Sequence, residues 1–325
     1  MSSSSSSDPS LAAATVIAER PHVDGGMTTE AGRRSLPLEL TLSLGGWKEL
    51  SVRLDSQSEV LWCRMKPRTA PSYTPALLAD LADLRHAIEA LFAGAEAGRP
   101  PFRYYVGGSG LPGIFNLGGD LGHFLACIRA GDREALRRYA YDCCDLVHWS
   151  ATGLGVPVVM ISLVQGDALG GGFEAVLASD VIVAERSAKF GLPEILFNLF
   201  PGMGAYSLLS RRLDGMRAER LITSGRLYSA QEMFDMGLVD VLAEDGEGEV
   251  AVRDWIRANG RRQPLQCTLR AVRNRVSSFD LKELYDVTDL WVDAAMRLED
   301  ADLRRIERLR GAQLRRLEEA AAKAG

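Results

Sequence analysis

The feature that most constrains this chain is an apolar run that ends in a string of glycines. VPVVMISLVQ, at 156–165, carries almost no polar side chain and is followed by GDALGGGFEA at 166–175. A short run apolar at every position is a strand covered on both faces, and such strands belong to parallel sheets flanked by helices. The glycines then permit a tight turn into a helix. Comparable units stand on either side. FRYYV at 102–106 reads as a strand, GGSGLPGIFNLGGD as a Gly/Pro loop, and two helical segments run on to Trp149. VIVAE at 181–185 reads as a further short strand. Strand, helix, strand repeats of this kind predict an α/β fold with crossover connections.

The remainder organises around that core. Residues 1–35 are Ser-rich, with few large apolar groups, and predict a disordered tail. LELTLSL from Leu38, an interruption at Gly45 and Gly46, and WKELSVRLD predict a hairpin, with VLWCRM at 60–65 as a third strand. Apolar residues at Leu77, Leu78, Leu81, Leu84, Ile88 and Leu91 recur with helical spacing, behind Thr74 as N-cap and Pro75 at the first helical position. After Pro201 the chain is nearly all helical, broken near Leu238, and it ends in a charged amphipathic stretch over 281–323. The division expected is a tail at 1–35, an α/β core at 36–245 and a C-terminal helical region at 246–325. A packing face, an assembly surface or a lid all suit that last region.

Three segments carry groups that chemistry could use. In GDALGGGFEA the glycines Gly170, Gly171 and Gly172 let a ligand approach the main chain, and the N–H groups at a helix start carry partial positive charge. A carbonyl oxygen gaining negative charge would be stabilised there. Glu174 sits in the first helical turn, where a structural role beside the helix dipole is an equally ordinary use. In KFGLPEILFNLFPGMGA, at 189–205, Glu194 follows Pro193 among Ile195, Leu196, Phe197, Leu199 and Phe200. Such company desolvates a carboxylate and raises its pKa; a helix-starting Glu is the alternative. Twenty residues separate the two glutamates, room for a helix, a strand and a return, so both can face one cavity. In GIFNLGGDL, at 113–121, an N–H of Leu117 or Gly118 would supply a second donor, and Asp120 suits a helix N-cap better than a catalyst.

NLGGDL, LVQGDALGGGFEA, GLPEILFNLFPGMGAYS, LYSAQEMFDMGLVD and LWVDAAM, in this order, resemble the crotonase (enoyl-CoA hydratase/isomerase) superfamily. More narrowly they resemble its branch of diffusible signal factor synthases. The resemblance covers roughly 40–296 and implies a crotonase-like ββα spiral core with a helical C-terminal region. It implies Glu174 and Glu194 as the acid/base pair. The N–H groups of Gly171 and of Leu117 or Gly118 would form an oxyanion hole, and Leu169, Gly170, Met203 and Trp291 an acyl pocket. A core indole is the plainer reading of Trp291. The implied reaction dehydrates a 3-hydroxyacyl-carrier-protein to a cis-2-enoyl thioester, then hydrolyses it to a free cis-2-unsaturated fatty acid used in quorum sensing, with no organic cofactor. Ordinary hydratases usually carry a smaller residue where Leu117 stands. A generic enoyl-CoA hydratase, isomerase or hydrolase, and a non-catalytic acyl-binding or sensor-docking module, are the alternatives. The resemblance also implies an acyl carrier protein or coenzyme A as carrier, a sensor kinase as partner, and a homo-oligomer built as a trimer or a pair of trimers.

Composition excludes other classes. Lys plus Arg is 38 against 43 for Asp plus Glu, a net charge of −5, which argues against a nucleic-acid groove. Five cysteines, an odd number without C-x-x-C spacing, read as reduced thiols in the cytoplasm. No apolar run is long enough for membrane insertion, and MSSSSSSDPS lacks the basic and apolar regions of a signal peptide. His22, His86, His123 and His148 show no paired metal spacing, so no metal is expected. Ser109 lacks the G-x-S-x-G frame of a nucleophile elbow. Cys143 and Cys144 read as buried filler within a helix. RLRGAQLRR at 308–316 reads as a solvated helix face that could also meet an acidic carrier protein.

Overall fold

The computed structural model describes residues 46–96 and 98–324. Two strands open it, β1 (Leu50–Asp55) and β2 (Val60–Met65), paired antiparallel from Leu50 with Met65 to Asp55 with Val60. This hairpin differs from the one expected at Gly45 and Gly46. Its turn lies at 56–59, with Glu59 at φ 56°, while the LELTLSL arm and the tail lie outside the described residues. Helix α1 (Pro75–Ala93) starts as its sequence predicts: Thr74 Oγ1 accepts Leu77 N–H at 3.1 Å, and Pro75 needs no donor in the first turn. Leu77, Leu78, Leu81, Leu84 and Ile88 form its buried stripe.

A strand, strand, helix unit then repeats. β3 (Tyr104–Ser109) and β4 (Gly113–Asn116) lead to α2 (Leu121–Ala130) and α3 (Arg133–Ala151). β5 (Val159–Val164) and β6 (Gly166–Leu169) lead to α4 (Gly171–Leu177). β7 (Val181–Glu185) and β8 (Lys189–Gly191) lead to a 3-10 turn over Pro193–Phe197, then α5 (Ala205–Arg212) and α6 (Gly215–Ser224). β9 (Leu227–Ser229), α7 (Ala230–Asp235) and β10 (Val241–Ala243) complete the sheets. The first strand of each unit joins a six-stranded sheet of order β1-β2-β3-β5-β7-β10, parallel except for β1. The second joins a four-stranded sheet, β4-β6-β8-β9, antiparallel only at β9. This is the ββα spiral expected. The smaller sheet was hidden from periodicity: β4 and β6 are four residues each and glycine-bearing, and they read as loops.

Helices cover both faces of the larger sheet. Val159, Ile161 and Leu163 of β5 pack with Val252 and Ile256 of α8 (Gly248–Asn259), while Val158, Met160 and Val164 join the cluster containing α1 and α3. Alternate residues therefore serve opposite cores, and this is why the run is apolar at every position. Each such side chain contributes about 1.5–3 kcal/mol on burial. Beyond α9 (Gln263–Val276) the amphipathic stretch divides at 296–299 into α10 (Leu281–Ala295) and α11 (Asp300–Ala324), where one continuous stretch was expected. Among the described residues no helix is long and apolar enough to cross a membrane.

One buried ion pair fastens α9 to the sheet. Arg270 is buried, pairs with Asp180 and donates to Val158 O at 2.7 Å; the Asp180 carboxylate also accepts Met160 N–H at 3.0 Å. The guanidinium lies against Gly153, at φ 72°, where a Cβ would collide with it. Removing one partner leaves the other charge buried and alone, so Asp180→Ala is expected to cost about 3–5 kcal/mol in urea unfolding. A loss below about 1 kcal/mol would show that this pair does not anchor α9.

Candidate active site

The ends of the small-sheet strands meet at one place. Chain leaving β6 turns at Gly170, φ 52°, into α4, and chain leaving β4 runs through Leu117, Gly118 and Gly119 to the N-cap Asp120 of α2. The two backbones nearly touch. A Cβ on Gly172 would strike Asn116 O, one on Gly118 would stand 3.1 Å from Gly171 N, and one on Gly171 would strike Met203 Sδ. Gly118 also has φ 100°. Only glycine satisfies both the space and the dihedrals there.

Glu174 enters from the first turn of α4 and is 1% exposed. Its Oε1 accepts N–H groups of Met203 and Ala205, each at 2.8 Å. Burial pushes its pKa up, and those two amides oppose the rise. Glu194 sits in the 3-10 turn after Pro193, not in the α-helix start its position suggests. A Cβ on Gly170 would lie 2.5 Å from its Oε1, and its buried Oε2 has no hydrogen-bond partner among the described residues. Burial raises its pKa further, and the charge of Glu174 adds to the rise. Two buried carboxyl groups are thus set apart by their surroundings. The one held by amides favours the carboxylate, and the one with an orphan oxygen favours the protonated acid.

Both line one cavity. Gly171, Leu117, Gly118, Leu169, Gly170, Met203 and Trp291 line it too, so every site residue singled out in the sequence is brought together. Trp291 of α10 packs edge-on to Phe124 (centroids 5.0 Å apart), and its indole fills the place a Cβ on Gly202 would take. Phe197, Leu199 and Leu121 complete a largely apolar interior. Sequence patterning did not point to Phe124 and Tyr139; a lid was one use expected of the C-terminal region, and there α11 supplies a cavity wall through Leu309, Ala312, Gln313 and Arg316. RLRGAQLRR signalled charge, but only the register of α11 decides which residues turn inward. Gln313 Nε2 donates to Leu117 O at 3.0 Å, and Arg316 pairs with Asp167 at 2.9 Å. Among the described residues no group of three or more His, Cys, Asp or Glu is arranged to hold a metal ion.

The expected oxyanion donors divide. Gly171 is the first residue of α4, so its N–H has no preceding turn to receive it, and no side chain caps this helix. Leu117 and Gly118 need correction as donors. Leu117 N–H is given to Pro71 O at 2.7 Å and Gly118 N–H to Asn116 Oδ1 at 2.8 Å, so both amides are engaged within the protein. Gly119 stands differently. Gly118 O accepts from Tyr73 N–H at 2.8 Å, and in a trans peptide C=O and N–H point opposite ways, so Gly119 N–H is turned away from Tyr73 while Gly119 lines the cavity.

Residues 108–265 match the family model of enoyl-CoA hydratase/isomerase. That match takes in a little under half of the chain. A probable enoyl-CoA hydratase of Mycobacterium avium is 31% identical over 144 residues, 44% of this chain and 53% of that protein. Another, from Mycobacterium leprae, is 36% identical over 141 residues, covering 42% of this chain and 51% of its own length. The chain thus spans about half the length of these curated relatives. An enoyl-CoA hydratase structure from Bacillus halodurans superposes with a TM-score of 0.68 at 21% identity, over 80% of this chain and 100% of that one. The human mitochondrial delta3-delta2-enoyl-CoA isomerase gives 0.62 at 17% identity, over 85% and 98%. These superpositions place the crotonase fold on the chain well beyond the matched segment.

The raised glutamate pKa values carry a stability signature. Both groups bind protons more tightly folded than unfolded, where the usual value is near 4.5; folded, they are pushed up to about 7 for Glu174 and about 8 for Glu194. Their contribution is full below the unfolded value and is lost as pH rises through the folded ones. Unfolding free energy is therefore expected to fall between pH 5 and pH 8 in urea titrations. Glu194→Gln, with no proton to lose, should flatten that decline and exceed the native chain in stability at pH 8. Parallel curves for the two proteins would contradict the assignment of a buried, protonated Glu194.

Proposed function

We propose that this site removes or adds water across the α,β bond of an acyl thioester. The observation that carries the reading is the pair of differently hydrogen-bonded carboxyl groups, Glu174 and Glu194, facing one apolar cavity. The thioester oxygen is received by Gly171 N–H, with Gly119 N–H as the second donor in place of Leu117 or Gly118. Charge developing on that oxygen acidifies the α-hydrogen. In the dehydration direction the Glu174 carboxylate takes the α-proton. The Glu194 acid protonates the β-hydroxyl, the C–O bond breaks and water leaves. The acyl chain lies along Leu169, Met203, Phe124 and Trp291, where no polar partner is needed.

A narrower reading rests on NLGGDL and the other segments resembling the diffusible signal factor synthases. In it the substrate is a 3-hydroxyacyl-carrier-protein, the product has cis-2 geometry, and a second water then attacks the thioester carbonyl to release the free acid. The largely apolar interior closed by Trp291 and α11 supports retention of the enoyl intermediate between the two steps. On this reading the chain acts in the cytoplasm as a homo-oligomer and requires no cofactor.

The test is mass spectrometry of products from 3-hydroxyacyl thioesters presented on acyl carrier protein and on coenzyme A. Enoyl thioester alone supports the broader reading, and free unsaturated acid from the carrier-protein arm supports the narrower one. Glu174→Gln and Glu194→Gln are each expected to lower kcat by about 10²–10⁴-fold with the fold retained. Full turnover in both variants would remove the glutamates from the chemistry.

A further inference from the structure

Tyr139 is a buried residue of α3 whose ring lines the cavity. Its hydroxyl donates to Tyr73 O at 2.5 Å and accepts Asp120 N–H at 2.9 Å. Those two groups belong together in the backbone pattern. Tyr73 forms a parallel bridge with Gly119, and in such a pairing the next rung would run from Asp120 N–H to Tyr73 O. The hydroxyl is spliced into that rung. It joins the segment that ends at Tyr73 to the loop that carries Gly118 and Gly119.

The main-chain groups of Leu117 and Gly118 are already committed. Leu117 N–H goes to Pro71 O, Leu117 O to Gln313, Gly118 N–H to Asn116 Oδ1 and Gly118 O to Tyr73 N–H. Asp120 Oδ1 caps α2 through Gly122 and His123 N–H. The orientation of the Gly118–Gly119 peptide is therefore set by Tyr73 on one side and by Asp120 on the other, and the Tyr139 hydroxyl is what ties the two. Burial holds its pKa well above the ordinary tyrosine range, so it stays a donor and does not serve as a base.

We propose that Tyr139 is a positioning residue, whose hydroxyl, bridging Tyr73 O and Asp120 N–H, aims Gly119 N–H at the thioester oxygen. The inference rests on the reading of the site as an acyl-thioester oxyanion hole. A hydroxyl acting this way is worth more in the transition state than in the ground state, because the amide it aims meets charge only as that charge develops.

The experiment compares the native chain with Tyr139→Phe, which keeps the ring and removes one oxygen, on a 3-hydroxyacyl thioester that the native chain turns over. A fall in kcat of about 10- to 100-fold is expected, short of the roughly 10²–10³-fold that loss of an oxyanion donor costs, with KM changed less than about threefold. Infrared difference spectra of bound [1-13C]octanoyl-coenzyme A supply a readout that lowered stability would not move. The native chain should shift the carbonyl stretch to lower frequency, and Tyr139→Phe should lose part of that shift. Placing 3-fluorotyrosine at 139, which restores a hydroxyl, should recover both values and keeps the test usable if Tyr139→Phe folds poorly. Native kcat and native carbonyl frequency in folded Tyr139→Phe, even with a lowered melting temperature, would overturn the proposal. If Glu174→Gln and Glu194→Gln also turn over normally, it is the acyl-thioester reading itself that fails; if they are inactive, only the role of Tyr139 does.

Discussion

The whole site depends on two stretches of backbone lying closer together than side chains allow. Gly172 is packed against Asn116 O, where no Cβ fits, and Gly118, at φ 100°, faces Gly171 N so closely that a Cβ would stand only 3.1 Å from it. That approach brings the main-chain amides of two different ββα units to the rim of one cavity. It is possible because β4 and β6 are parallel neighbours in the small sheet, ending side by side. The larger sheet, with its helices on both faces, supplies the rigidity. The smaller sheet supplies the address.

Electrostatics follows from the same placement. Glu174 is near the start of α4 and meets the amides of Met203 and Ala205, so a buried charge there finds donors. Glu194 arrives by way of a 3-10 turn that brings its carboxyl against Gly170 and leaves Oε2 without a partner. Two identical side chains acquire unequal proton affinities from their neighbours alone. An orphaned buried oxygen costs stability, and a chemical role is what would retain it here.

Much of this was legible in the residues. The two-sided apolar strand, the Thr74 cap, the stripe of α1 and the glycine turn before Glu174 are local patterns, and local patterns survive folding. The segments around Glu174, Glu194 and Trp291 pointed to one cavity, and one cavity holds them. What was not legible was short or long-range. β4 and β6 are too brief to show an alternation. The donor proposed at Gly119 could not be told from its neighbours Leu117 and Gly118, because the choice depends on where Pro71, Tyr73 and Asn116 direct their hydrogen-bonding groups. Tyr139 gives no signal at all within its helix, since its partners lie 66 and 19 residues away. For α11 a lid was one of three uses the sequence allowed, and it could not choose among them, because a charged amphipathic repeat looks the same whether it faces water or closes a chamber.

The bond between Gln313 and Leu117 spans 196 residues of chain. Everything else that shapes the chamber comes earlier along the chain, so during translation the glycine loops and both glutamates emerge and can settle before the helix that roofs them exists. Until α11 leaves the ribosome, the nascent protein presents an uncovered greasy trough. The order of synthesis thus leaves that trough for chaperones to shield until α11 follows and closes a long loop over it.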